Sequence, residues 1–148
     1  MTDPSLTLRE ADDGSLPYVE SLLERNGLAT DDIADRDALS LYVCYRGDER
    51  VGIGGLEVYG TAGLLRSVVV AEEMRGTGIG RALCAELEAR ASERGVETLY
   101  LLTTTARDFF VDLGYHAVDR DEAPPSIRET RQFSELCPST ADCLSTSL

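Results

Sequence analysis

Arg75-Gly76-Thr77-Gly78-Ile79-Gly80 places one cation and three glycines within six residues, after an acidic loop and before a run with helical spacing. Glycines there remove side chains where successive backbone N–H groups would meet an anion, and a helix start adds partial positive charge. The chemistry implied is anion binding, most often of a phosphate. The Gly-Lys-Ser/Thr ending of a nucleotide P-loop is absent, as is a full G-x-G-x-x-G, so a tight structural turn stays open beside a ligand site. Ahead of the turn stand Glu57 and Arg66. If Gly60-Thr61 closes a two-residue hairpin, Glu57 faces Leu64 and lies diagonal to Arg66 on one face. That is either the polar end of a substrate site or an ion pair that only holds the fold.

These residues need a strand, a turn and a helix to position them. Leu6-Thr7-Leu8-Arg9 alternates as a first strand, and Asp12, Asp13 or Ser15 can cap a helix carrying Leu16, Val19, Leu22 and Leu23, with Gly27 closing it. Residues 41–45 and 50–59 are rich in β-branched and aromatic types around Gly47-Asp48-Glu49, and residues 64–70 follow as a third strand of a meander. Gly52, Gly54 and Gly55 interrupt the middle strand, for a ligand or bulge or for relief under a packed helix. Ile79, Leu83, Leu87 and Ala91 recur every fourth position, which predicts an amphipathic helix ending near Gly95. A short apolar strand over 98–102, a helix over 105–113 and a strand over 115–118 come next, with a parallel crossover linking 64–70 to 98–102. Pro124-Pro125-Ser126 starts a short helix through Ile127, Thr130 and Phe133; the tail beyond is small and polar.

Composition bounds the function. The 148 residues read as one domain, 1–148, able to bury a core without staples. Against 27 Asp and Glu stand 14 basic residues, all Arg, for a net charge of −13. That balance opposes attraction to nucleic acid or anionic lipid, and it suits a salt-adapted cytoplasm, with plain acidic drift as the alternative. No N-terminal apolar segment and no 18-residue apolar run occur, so a cytoplasmic protein without membrane spans is expected. Cys44, Cys84, Cys137 and Cys143 are spread as reduced thiols are, and no metal site is indicated.

With its flanks, the glycine turn resembles the acetyl-CoA-binding signature of the GCN5-related N-acetyltransferases, or GNATs: Arg75, two residues, Gly78, one residue, Gly80. Ala106-Arg107-Asp108-Phe109-Phe110-Val111-Asp112-Leu113-Gly114-Tyr115 resembles the family's second motif. The resemblance implies an α/β (α+β) fold, a mixed central sheet of six to seven strands flanked by helices, with acetyl-CoA as cofactor. It implies that the backbone of Val68, Val69 and Val70 pairs with the pantetheine arm, and that the amides of Arg75, Gly76, Thr77, Gly78, Ile79, Gly80 and Arg81 hold the pyrophosphate, with Phe109 a further cofactor contact. Direct attack of an amine on the thioester then needs a base, for which Glu57 is the candidate, and an oxyanion donor near Val69. Arg66 would hold a substrate carboxylate, with Tyr59 a second substrate contact.

Phe110 stands where many relatives carry a tyrosine that protonates the leaving thiolate. Tyr115, Tyr100 or His116 could substitute, and spacing does not choose among them. A thiol of pKa about 8.5 also leaves tolerably as the thiolate. Residues 100–106 and 127–133 with Leu136-Cys137-Pro138 look like acetyltransferases encoded with arsenic-resistance genes. This implies a small amine or amino acid as substrate, such as an arsenic- or phosphorus-containing glutamate analogue. A non-catalytic regulator binding acetyl-CoA, or a metalloid through Cys137 and Cys143, is the alternative. A homodimer through the C-terminal strands fits the same fold.

Overall fold

Gly47-Asp48 and Gly60-Thr61 each close a two-residue turn, and these two turns fix the register of the middle of the molecule. The computed structural model describes residues 6–11, 14–25, 39–71, 78–103, 106–128 and 142–148. In chain order these form β1 (Leu6–Glu10), α1 (Leu16–Arg25), β2 (Leu39–Arg46), β3 (Glu49–Tyr59), β4 (Ala62–Val70), α2 (Ile79–Glu93), β5 (Thr98–Thr103), α3 (Arg107–Asp112), β6 (His116–Ala117), a 3-10 turn (Arg120–Glu122), α4 (Pro125–Arg128) and β7 (Asp142–Ser147). Seven strands make one sheet in the order β1-β2-β3-β4-β5-β7-β6. Only β4 and β5 run parallel, joined through α2 as the strand-helix-strand pattern predicts.

The two faces of the sheet are covered differently. On one, α2 buries Ile79, Leu83, Leu87 and Ala91 against Leu56, Leu65, Leu99, Leu101 and Leu144. Each fully buried aliphatic side chain stabilises by about 1.5–3 kcal/mol. Gly54 explains itself here, because a Cβ on it would sit 2.5 Å from Leu87 Cδ1. Relief under a packed helix, rather than ligand approach, accounts for that glycine. On the other face, Val19, Leu22 and Leu23 of α1 pack on Leu41, Val43, Ile53 and Val69. A separate cluster of Leu64, Ala123, Ile127 and Cys143 lies further along the same face.

Two expectations change. β6 is two residues long: Tyr115 before it turns its ring into the core, and after it the Val118 N–H, donating to the Cys143 carbonyl at 2.9 Å, carries the pairing one bond further. The polar tail supplies β7, which inserts between β5 and β6 with six pairs to β5. Ladder hydrogen bonds on both edges hold such a strand with only Cys143, Leu144 and Ser145 buried. Within the described residues the last helix is α4 alone; Gly27, Thr130 and Phe133 lie outside them.

Candidate active site

The β3–β4 hairpin pairs Glu57 with Leu64, as the two-residue turn predicts, and Arg66 with Gly55. Arg66 Nη1 donates to Glu57 Oε2 at 3.1 Å, and the Tyr59 hydroxyl donates to Glu57 Oε1. Glu57 is 7% exposed and Arg66 4%. Strand alternation places Ile53, Gly55, Glu57 and Tyr59 on one face, so the pair lies between the α1 cluster and the α4 cluster, opposite α2. Taking two charges out of water costs several kcal/mol per ion, which close and complete hydrogen bonding must offset.

One residue further, β4 bulges. Three residues of β3, Ile53 to Gly55, face four of β4, Arg66 to Val69. Ser67 takes the left-handed conformation at φ 56°, unlike any other described non-glycine residue. Its Oγ accepts from Arg66 Nε at 3.1 Å, so the guanidinium is held at two nitrogens. Sequence reasoning missed Ser67, because nothing in an Arg-Ser-Val-Val-Val run marks a one-residue insertion.

At the same level β4 leaves β5. The parallel ladder covers Ala62–Thr98, Gly63–Leu99 and Leu64–Tyr100 only, while β4 continues to Val70. Beyond Leu64 no ladder joins the two strands among the described residues. Val68 and Val70 are half-buried along this parted edge, and Val69 is buried toward α1. The edge ends against the start of α2, where Gly78 forms the N-cap at φ 85° with open space where a Cβ would be. A Cβ on Gly80 would lie 3.4 Å from both Val70 Cγ2 and Phe109 Cζ, so strand end, helix start and α3 meet there. Ile79 is buried, and Arg81 and Phe109 are exposed. Arg75, Gly76 and Thr77, like Cys137, lie outside the described residues.

The three stand-ins for a tyrosine at 110 now separate. Phe110 is buried, its ring edge-on to Tyr115. Tyr115 donates to Glu88 Oε2 at 3.2 Å on the α2 face, and burial followed by the nearby Glu88 carboxylate pushes its pKa far up. His116 is exposed on the two-residue β6. Tyr100 occupies the last pair before β4 and β5 part, on the Glu57 face, with its pKa raised by burial and then by Cys143 and Glu122. Burial also pushes the Cys143 thiol up to about 11, which keeps it protonated near neutral pH. Among the described residues no group of His, Cys, Asp and Glu could hold a metal ion, and no helix is long and apolar enough to cross a membrane.

Residues 37–117, more than half of the chain, match the acetyltransferase (GNAT) domain family. This chain belongs to that family. Among curated relatives, an uncharacterised N-acetyltransferase of Chlorobaculum tepidum is 40% identical over 43% of this chain and 40% of its own length. An amino-acid acetyltransferase of Ralstonia nicotianae is 29% identical over 81% of this chain. The chain spans 25% of that second protein, so each relative is much longer than the part it shares. The GNAT fold is shared with the N-acetylglutamate synthase of Neisseria gonorrhoeae, crystallised with coenzyme A and L-arginine: TM-score 0.81 and 18% identity, over 99% of this chain and 34% of that one. A GNAT acetyltransferase of Elizabethkingia anophelis with acetyl-CoA bound covers 99% of this chain and 100% of its own, at TM-score 0.69 and 17% identity.

Proposed function

We propose that this protein is an acetyl-CoA-dependent N-acetyltransferase acting on the amine of a small amino-acid-like substrate. The observation that carries the reading is the parting of β4 from β5 directly beside the buried Glu57–Arg66 pair and its partner Tyr59. Family membership supports the acyl transfer, and the amino-acid acetyltransferase among its relatives supports the substrate class.

The described residues fit acetyl-CoA, whose thioester supplies the acyl group when bound. An extended arm fits the β4 edge along Val68, Val69 and Val70 as an added strand would. The amides from Gly78 to Arg81 suit a pyrophosphate at a helix start, with Phe109 flanking, and the family resemblance adds those of Arg75, Gly76 and Thr77, which lie outside the described residues. Glu57 is the acceptor for the proton that an ammonium must lose before nitrogen has a lone pair to attack with. Arg66, buried and held by Glu57 and Ser67, supplies positive charge behind the site that favours a substrate carboxylate, the more needed in a protein of net charge −13.

A finer reading takes an arsenic- or phosphorus-containing glutamate analogue as the substrate, on the likeness of residues 100–106 and 127–138 to arsenic-resistance acetyltransferases. The acidic, lysine-free surface supports a salt-rich cytoplasm, in which stability rises with added KCl. The test of the main reading is thiol release from acetyl-CoA against amines, amino acids, phosphinothricin-like amino acids and their decarboxylated counterparts. Turnover with the amino acids and little with the decarboxylated amines is expected. Coenzyme A binding without thiol release from any of them would instead support a non-catalytic regulator, a reading that the buried, hydroxyl-free Phe110 favours.

A further inference from the structure

Glu57 is nearly closed to a substrate by burial, its side chain 9% exposed. Both of its carboxylate oxygens are engaged, Oε2 by Arg66 Nη1 at 3.1 Å and Oε1 by the Tyr59 hydroxyl. The carboxylate is buried, and so is the arginine beside it. Tyr59 is the member of the cluster that is half-exposed, one step along the same face toward the Gly60 turn. Arginine carries donors only and does not give up its proton, so it cannot pass one inward. A phenol hydroxyl both donates and accepts.

We infer that Tyr59 is a proton relay between the substrate amine and Glu57, a catalytic role that rests on the reading of Glu57 as the base. The substrate ammonium gives a proton to Tyr59 Oη while Tyr59 gives its own to Glu57 Oε1. One N–H bond breaks, the O–H bond of Tyr59 breaks and re-forms, and a new O–H bond appears on the carboxylate. The phenol is neutral before and after, and the charges of ammonium and carboxylate cancel. No reagent beyond the two partners is needed. The arrangement also keeps Glu57 away from bulk solvent, so the group that meets the amine is a neutral hydroxyl on a fixed strand.

Two substitutions at Tyr59 test this, because a relay and a structural prop order them oppositely. Tyr59→Phe keeps the ring and blocks the route, so kcat falls by about 10²-fold or more with the KM of the amine little changed. Tyr59→Ala opens a space in which a water can bridge to Glu57, so it recovers part of the rate lost in Tyr59→Phe. A prop predicts the reverse, with Phe near wild type and Ala worst. Melting temperatures of both variants guard against misfolding, and Tyr59→Phe alone decides the matter if Tyr59→Ala does not fold. Tyr59→Phe with wild-type kcat, or Tyr59→Ala slower than Tyr59→Phe, overturns the relay. Glu57→Gln measured alongside separates the layers. If Glu57→Gln keeps full turnover, the base reading fails; if it collapses while Tyr59→Phe does not, the relay alone fails.

Discussion

Arg66 is gripped at Nε by Ser67 and at Nη1 by Glu57, and in a buried setting such a grip has two separable consequences. Removing one charge strands the other, so Arg66→Met lowers stability by about 3–5 kcal/mol in urea unfolding. Removing both leaves no stranded charge, so Glu57→Gln with Arg66→Met regains most of that loss. If the pair served only the fold, the double variant would also regain thiol-release activity. A fold restored with turnover still reduced by about 10²-fold or more is the expected result, measured on one preparation by denaturation and by acetyl-CoA turnover. Tyr59 as the third member was named from the sequence only as a substrate contact. Its bond to Glu57 follows from strand alternation, which puts residues two apart on the same face within reach.

At the scale of elements, α2 is coupled to the sheet through a gap made for it. Gly54→Ala drives a methyl into Leu87, and overpacking of this kind costs about 1–3 kcal/mol, read as a lower urea midpoint at unchanged slope. The next residue of α2 carries a titratable contact, Glu88 with the Tyr115 hydroxyl. Burial raises the Glu88 pKa above its ordinary 4.5, and the bond from Tyr115 partly opposes the rise. With the folded value above the unfolded one, the native state takes up the proton first. The Glu88 contribution is therefore greatest below pH 4.5 and declines as pH climbs through the folded pKa. Glu88→Gln retains an acceptor for Tyr115 and escapes that decline, so its advantage in melting temperature over wild type grows from acid to neutral pH. Equal melting curves across that range would falsify the assignment. The meander, α2 and the Glu57–Leu64 pairing were legible because two-residue turns and a four-residue apolar repeat leave direct marks in sequence. β7 left none, since Ser145, Thr146 and Ser147 carry no apolar alternation and the strand exists only because two neighbours hydrogen-bond it. The bulge at Ser67 is equally silent, for one added residue changes pairing without changing composition.

For the whole molecule, the sheet's continuity depends on very little at its centre. β3 and β4 share seven ladder pairs and β5 and β7 six, whereas β4 and β5 share three. The two halves of the sheet are thus joined by a narrow isthmus at Leu64 and Tyr100, with α2 as the second tie across the crossover. A ligand lying along Val68 and Val70 adds rungs on the open side, and a ligand that binds only the folded chain stabilises it by about 2.7 kcal/mol at a hundredfold excess over its Kd. Melting temperature should climb with acetyl-CoA or coenzyme A and stay flat with dephosphorylated pantetheine fragments too short to reach the start of α2. If acetyl-CoA lies there as proposed, the isthmus makes endurance conditional: resistance to heat and proteases rises with the supply of the acyl donor.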